Sequence, residues 1–252
     1  MSDTTARTST SHDLTGRRVL VPGGTGGVGE GIVRAYLQAG ADVVVPTRTT
    51  ERGEALRATL GTLGTSPLLH LPTHDYTTFA GAAALVAEMT TRRGGIDDVV
   101  VPVGGWWQGG PLTEIGEDDW ASAFTDLTTA HMAIARATIP RLDGTGAYIV
   151  VVGQSAEFPV PGSGLVSMEQ AALLMMQRVL AAESPEQRIH AMELGPVRTR
   201  FVEGEPEWVS TDEIGAAAVT ISGTDLGSRT VSIGSSAEAH AFIEGAHGRA
   251  AA

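Results

Sequence analysis

The sequence predicts an α/β fold in which a doubly wound, mainly parallel sheet of seven strands carries helices on both faces. Short runs of β-branched residues recur along the chain, and nearly every gap between them is long enough for a crossover helix. Several gaps also carry helix-boundary signals. The predicted strands are residues 19–21, 42–46, 68–71, 99–103, 148–152, 189–193 and 230–233.

Two of the intervening helices have clear boundary signals. Ser210 and Glu213 have the spacing of a capping box, in which each residue satisfies a free backbone N–H at the start of a helix. A longer helical pattern over residues 118–139 ends before Pro140, because proline lacks the N–H that would continue the helix. Both signals predict helices where parallel strands need crossovers.

Chain length and composition indicate one globular domain. The chain has 252 residues, of which 42% are hydrophobic, and it shows neither an internal repeat nor a composition break. We expect a disordered tail over residues 1–13, which are rich in serine and threonine, and a single domain over residues 14–252. The polar stretch over residues 198–209 is predicted to be a mobile lid over the substrate.

The composition excludes several kinds of chemistry and partner. All 17 basic residues are arginines, and the absence of lysine and cysteine rules out Schiff bases, disulfides and thiolate sites. The seven histidines are scattered, so no metal site is predicted. A net charge of −12 argues against nucleic acid and anionic membranes as partners. We expect a cytoplasmic protein, because residues 1–13 are no secretory signal and no apolar run approaches the ~20 residues of a membrane span.

A glycine-rich loop follows the first predicted strand and leads directly into a helix. Gly23, Gly27 and Gly29 have the spacing G-x3-G-x-G. The first glycine allows a tight turn, and the others let the backbone approach a diphosphate, whose charge the helix dipole stabilises. Thr25 and Val28 lie between these glycines, so the whole loop is a predicted dinucleotide-binding site.

With this loop in place, nearly the whole chain resembles the classical short-chain dehydrogenase/reductase family, whose members have a Rossmann-like fold. The loop is similar to the family's T-G-x3-G-x-G motif, with Pro22 in place of the threonine. Arg48 follows the second strand, where an acidic residue would bind the ribose of NAD, so this position is similar to the NADP-type variant. The resemblance therefore implies NADP(H) as the cofactor. A solvated arginine at a helix start is the alternative explanation of Arg48.

Further segments extend the resemblance to the rest of the cofactor site. Asp75 is similar to the family aspartate beside the adenine ring, and Gly105 is the one glycine kept from the family's Asn-Asn-Ala-Gly segment. Residues 194–199 resemble the Pro-Gly-x-Val-x-Thr segment that closes over the nicotinamide. From that segment the resemblance assigns Gly195, Val197 and Thr199 to the cofactor site.

The residues that carry the family's chemistry are missing from the aligned positions. The family uses an asparagine, a serine and a Tyr-x3-Lys pair, in which the lysine lowers the pKa of the tyrosine that protonates the substrate. Val166 aligns with the tyrosine and Gln170 with the lysine. Since the chain has no lysine, the family's usual proton relay is excluded. The asparagine aligns with Asp126, and the serine aligns near Gln154 and Ser155.

Four polar residues are candidates for catalysis in the altered site. Gln154 and Ser155 could hold a substrate carbonyl, although a solvated turn explains them equally well. Glu157 and Asp126 are candidate acids or bases if the crevice is dry enough to raise a carboxyl pKa, and surface carboxylates are the alternative.

The substrate pocket is predicted beside these residues. Trp106 and Trp107 are expected to line an apolar pocket, with Gln108 as its polar anchor, unless they cover the core or pack on a neighbouring subunit. The other residues predicted in this pocket are Val166, Gln170 and Trp208.

Two functional hypotheses remain open. The first is an NADP(H)-dependent oxidoreductase acting on a small organic substrate, such as an imine or enone, that accepts hydride without a phenol as acid. The second is a non-redox use of the fold, as a lyase, cyclase, isomerase or catalytically silent subunit. The resemblance also implies a homodimer or homotetramer, and we expect His131 in the helix pair that joins the subunits.

Overall fold

The computed structural model describes the backbone of residues 12–250 and the side chains of residues 12–246, so the predicted tail lies almost entirely outside the described residues. The strands are β1 (Arg18–Leu20), β2 (Asp42–Val44), β3 (Leu69–His70), β4 (Asp98–Val101), β5 (Ala147–Gly153), β6 (Arg188–Leu194), β7 (Val197–Arg198), β8 (Val209–Ser210) and β9 (Thr230–Ile233). The helices are α1 (Gly27–Gln38), α2 (Thr50–Leu60), α3 (Phe79–Arg93), α4 (Glu117–Trp120), α5 (Asp126–Thr138), α6 (Gly164–Glu183), α7 (Thr211–Gly223) and α8 (Ser236–Ala250).

Seven strands form one sheet in the order β3-β2-β1-β4-β5-β6-β9, and every neighbouring pair is parallel. The chain moves outward from β1 to β3, returns to β4 beside β1, and continues to β9. This reversal creates a crevice at the carboxyl ends of β1 and β4, where ligands of such sheets bind. The prediction of a doubly wound seven-stranded sheet is confirmed.

Alternating strand residues bury the sheet on both faces. In β1, Val19 packs with the helices α1, α2, α7 and α8, whereas Leu20 packs with α3, α5 and α6. In β4, Val100 faces the first layer, and Val99 and Val101 face the second. Because both faces are covered, these strands read as continuous apolar runs in the sequence.

The predicted helix boundaries hold with one difference. The capping box of Ser210 and Glu213 is present at the start of α7. The helical pattern predicted over residues 118–139 is divided into α4, a π-helical turn over Ala121–Thr125, and α5. Pro140 lies in a 3-10 turn over Ile139–Arg141 that ends this stretch.

None of the described helices is long and apolar enough to cross a membrane. Within the described residues, no group of three or more histidine, cysteine, aspartate or glutamate side chains is arranged to hold a metal ion.

Candidate active site

The glycine loop lies at the carboxyl end of β1 and folds tightly against the start of α1. Gly23 has a φ of +85°, in the left-handed region that favours glycine, and a Cβ there would lie 2.9 Å from the carbonyl oxygen of Pro102. A Cβ at Gly29 would collide with the carbonyl oxygen of Gly23. The loop backbone can therefore pass directly over the first turn of α1.

The start of α1 fits the diphosphate of a dinucleotide. The first backbone N–H groups of a helix have no partner within the helix, and they carry the positive end of its dipole. Gly26 occupies the cap position and supplies no side-chain hydrogen bond. An anion held by these N–H groups would replace the missing cap.

Arg48, Asp75 and Tyr76 lie near one another beside the glycine loop. Arg48 is exposed after β2, and among the described residues it makes neither a hydrogen bond nor an ion pair. The hydroxyl and backbone N–H of Thr77 donate to Asp75 Oδ1 and lower the pKa of Asp75, and the nearby charge of Arg48 lowers it further. Tyr76, which the sequence prediction missed, is buried with its hydroxyl beside the backbone of Gly23, and burial raises its pKa.

The segment after β6 reaches back to the glycine loop. Gly195 donates its N–H to the carbonyl of Ile233 (3.0 Å), and Val197 begins β7. The chain then places the Thr199 side chain against Gly27, where a Cβ would come within 3.0 Å of the Thr199 Cβ. The structure thus brings the predicted cofactor residues Gly27 and Thr199 together.

The stretch predicted to be a lid, residues 198–209, is bounded by two paired strands. Val197 pairs with Val209 in a short parallel ladder, which the sequence prediction missed. Trp208 is half-buried against Gly204, and its carbonyl accepts from Arg198 Nε (3.1 Å), so its ring packs within this segment. The mobility of the segment stays a prediction.

Gln170 and its neighbour Glu169 form a buried polar network in α6. Gln170 Oε1 accepts from the backbone N–H of Gly153 (2.6 Å), at the end of β5, and Gln170 Nε2 donates to Glu169. Glu169 is 1% exposed, burial raises its pKa to about 7, and its Oε1 has no partner within the described residues. Val166, one turn earlier, is also buried. The sequence prediction missed Glu169, whose only signal is a carboxylate within an apolar helical pattern.

The predicted acid or base roles of Glu157 and Asp126 are not supported. Both side chains are exposed, and Glu157 forms an ion pair with Arg178 of α6 (3.6 Å). Neither carboxylate therefore has the dry surroundings that the prediction requires. Gln154 and Ser155 are half-buried in a 3-10 turn after β5, and the Gln154 amide lies beside Gly234.

The structure leaves Trp106 open to solvent, so its place in a substrate pocket stays a prediction. Trp106 is 67% exposed, and a Cβ built on the preceding Gly104 or Gly105 would meet no described atom within 4 Å, so the loop is open here. Trp107 is half-buried, and its indole N–H donates to Asp119 of α4 (3.0 Å). Gln108 is exposed. Trp107 is therefore anchored to α4, and the pocket role of Trp107 and Gln108 stays a prediction.

An apolar cavity of about 520 Å³ lies one loop further along the chain, between residues 109–112 and 159–168. It adjoins the start of α6 through Gly164, Ser167 and Met168. Leu112, Val160 and Met168 supply its apolar walls, and Ser167 is the one polar side chain that lines it. The sequence signal for this cavity is the proline-rich stretch after β5, which the prediction did not use.

His131 supports the loop after β4 from inside the protein. The side chain is fully buried, and its Nε2–H donates to the carbonyl of Val103 (2.8 Å). Burial lowers its pKa to about 4, so the imidazole is neutral. His131 lies in α5, and its side chain points into the chain rather than to its surface; that this helix joins two subunits stays a prediction.

Comparison with known proteins agrees with this architecture. The 3-oxoacyl-(acyl-carrier-protein) reductase of Chlamydia pneumoniae is 27% identical over 205 residues, which cover 81% of this chain and 80% of that protein. The human dehydrogenase/reductase SDR family member 4 is 27% identical over 195 residues, covering 75% of this chain and 68% of the relative.

Solved structures share the fold at lower identity. A doubly substituted short-chain dehydrogenase/reductase from Serratia marcescens superimposes with a TM-score of 0.76 at 20% identity, covering 92% of this chain and all of that one. A blue fluorescent protein from a metagenomic library, in complex with NADPH, gives a TM-score of 0.75 at 22% identity, with coverages of 88% and 98%. Residues 17–210 match the family model described as short chain dehydrogenase. The chain therefore belongs to the short-chain dehydrogenase/reductase family.

Proposed function

We propose that the protein is an NADP(H)-dependent oxidoreductase whose active site works without the tyrosine and lysine of its family. One observation carries the proposal: Arg48, which has neither a hydrogen bond nor an ion pair among the described residues, lies near Tyr76, beside the glycine loop and the uncapped start of α1. A diphosphate and a 2′-phosphate would each find a positive partner there.

Each part of the cofactor has a group to hold it in this proposal. The N–H groups at residues 27–29 would bind the diphosphate, and Arg48 would bind the 2′-phosphate. Tyr76 and Asp75 would border the adenosine, and Thr199 would cover the glycine loop on the nicotinamide side.

The side chains at the proposed nicotinamide site limit the class of substrate that can be reduced. Bound NADPH supplies a hydride. Val166 cannot donate a proton, and the Gln170 amide is held by Gly153 and Glu169. Gln154 and Ser155 remain as hydrogen-bond donors to charge that develops on the substrate. The proposed substrate is therefore one that needs no phenol as acid, such as an imine protonated in solution or a polarised enone.

The cavity at the start of α6 indicates the character of that substrate. Among the described residues no charged side chain lines it, and its walls are aliphatic apart from Ser167. A charged group in this space would find no oppositely charged side chain among the described residues, whereas an apolar group would gain contact with the aliphatic walls. The part of the substrate that enters the cavity is therefore proposed to be apolar.

The assembly of the protein is part of the same proposal. Met168, Met175 and Val179 are exposed on α6, at a spacing that places them along one side of the helix. Burial of such a stripe against a second copy is consistent with the proposed homodimer or homotetramer. The cytoplasmic location stays a prediction.

Titration of the protein with NADPH and with NADH, followed by tryptophan quenching, tests the cofactor assignment. The proposal expects NADPH binding that weakens about tenfold or more in Arg48→Ala, with NADH binding unchanged, because the 2′-phosphate loses its charged hydrogen bonds. Arg229→Ala is the matched control, since the exposed Arg229 precedes β9 at the opposite edge of the sheet. Failure of the wild-type protein to bind either dinucleotide would overturn the proposal.

A non-redox function is the second candidate. It is favoured by the loss of the proton relay, since the chain has no lysine and Val166 stands where the relay needs a tyrosine. A lyase, cyclase, isomerase or silent partner subunit would not consume NADPH. Oxidation of NADPH with any imine or enone substrate would exclude this candidate.

A further inference from the structure

Glu30 is a buried carboxylate in the first turn of α1, directly after the glycine loop. It is only 4% exposed, although glutamate is rarely buried without a partner. The positive end of the α1 dipole stabilises a carboxylate at this position. A bound diphosphate would nevertheless face this negative charge unless a cation neutralised it.

Arg200 is that cation. Its guanidinium forms an ion pair with the Glu30 carboxylate and donates to the carbonyl oxygen of Thr25 in the glycine loop (3.4 Å). It also lies 4.2 Å from the centre of the Phe201 ring. Arg200 thus contacts both the glycine loop and α1, although it lies far from them in the sequence.

A tight turn presents Arg200 to the loop. The N–H of Thr199 donates to the carbonyl of Val202 (2.8 Å), and the N–H of Val202 donates back to Thr199 (3.1 Å). Arg200 is at the tip of this turn, and Thr199 at its base packs on Gly27. The turn is therefore fixed to the glycine loop at two neighbouring points.

We propose that the Glu30–Arg200 ion pair is a latch that holds the turn over residues 199–202 against the glycine loop and slows release of a bound dinucleotide. The role in retention rests on the proposed function, whereas the latch itself is a property of the chain without ligand. The pair also neutralises Glu30, so the diphosphate meets the positive end of α1 without a competing carboxylate.

Proteolysis tests the latch without any cofactor. Phe201 is 70% exposed, so chymotrypsin can cleave after it when the turn opens. Cleavage is expected to be about tenfold faster in Glu30→Gln and in Arg200→Gln, because each substitution removes one charge of a pair whose carboxylate is buried. The exchange Glu30→Arg with Arg200→Glu is expected to restore slow cleavage. Arg229→Gln serves as the control for loss of one arginine and should cleave like the wild-type protein.

A double-mutant cycle tests the latch even if the variant with the two charges exchanged does not fold. Removal of both charges in Glu30→Gln with Arg200→Gln should be no worse than either single substitution, since the second change removes no remaining interaction. Additive effects, or single variants that cleave like the wild-type protein, would overturn the latch.

Release of NADPH, followed by stopped-flow fluorescence, tests the role in retention. Each single variant should release NADPH about tenfold faster, and the charge exchange should reverse this. If Arg200 instead bound the diphosphate directly, the charge exchange would weaken NADPH binding further. That result would overturn the latch as the cause of slow NADPH release. A wild-type protein without NADPH affinity would refute the proposed function, and the proteolysis result would still decide on the latch.

Discussion

Glu169 gives the sharpest quantitative prediction, because it is a buried carboxyl whose titration can be removed with little change in shape. Its Oε2 accepts from the Gln170 amide, and its Oε1 has no partner within the described residues. The substitution Glu169→Gln keeps an oxygen that can accept from Gln170, and it removes the charge.

The expected effect depends on pH. Burial raises the pKa of Glu169 from 4.5 to about 7 in the folded protein. Below the pKa of Glu169 in the unfolded state, the carboxyl is protonated in both the folded and the unfolded protein, so it costs no stability. Between the two pKa values the carboxyl ionises in the unfolded state but stays protonated in the folded state, so the wild-type protein loses stability as the pH rises. Above the pKa of the folded state, the loss is constant. The difference between the two pKa values corresponds to about 3 kcal/mol.

Urea unfolding of the wild-type protein and Glu169→Gln, measured between about pH 4 and pH 8, tests this reasoning. The two proteins should be similarly stable at the acidic end, and the variant should become more stable by up to ~3 kcal/mol at the alkaline end. Glu183→Gln, at the exposed end of α6, is the control and should change stability by less than about 0.5 kcal/mol. A stability difference for Glu169→Gln that does not change with pH would refute the assignment of a buried, proton-binding carboxyl.

Two further predictions concern the glycine loop and the helix that packs beside it. Gly29→Ala should abolish dinucleotide binding in the fluorescence titration, because its Cβ would collide with the Gly23 carbonyl, whereas Gly227→Ala meets no atom within 4 Å and should bind normally. Equal binding by both variants would contradict this packing. Ser210→Ala removes the capping box of α7 and should lower the free energy of unfolding by about 1 kcal/mol in urea, and an unchanged midpoint would contradict the cap.

The sheet and the glycine loop could be predicted because their signals are local. The strand β9 was predicted with its observed bounds, since Thr230–Ile233 is a short β-branched run between turn residues. The glycine spacing identified the turn at Gly23 because few other residues tolerate its positive φ. Such features depend on neighbours in the sequence, so one sequence suffices to find them.

The site's side chains were harder to predict, because their surroundings come from distant parts of the chain. Trp106 is an aromatic residue in a glycine-rich loop, which predicts a pocket wall, but the loop leaves its side chain in solvent. Glu157 is turned towards Arg178, a residue that no local pattern connects to it. Glu30 and Arg200 are ordinary charged residues in the sequence, and only the fold buries Glu30 and brings Arg200 to it. Glu169 is likewise identified only by its burial.

A crystal structure of the protein with NADPH tests the central claim most directly. The account predicts the diphosphate on the N–H groups of residues 27–29, the 2′-phosphate beside Arg48, and the nicotinamide next to Val166 and Gln170. It also predicts that the Glu30–Arg200 pair stays closed over the glycine loop. A structure in which the loop over residues 106–110 fills the nicotinamide site, or in which NADPH binds elsewhere, would contradict the account.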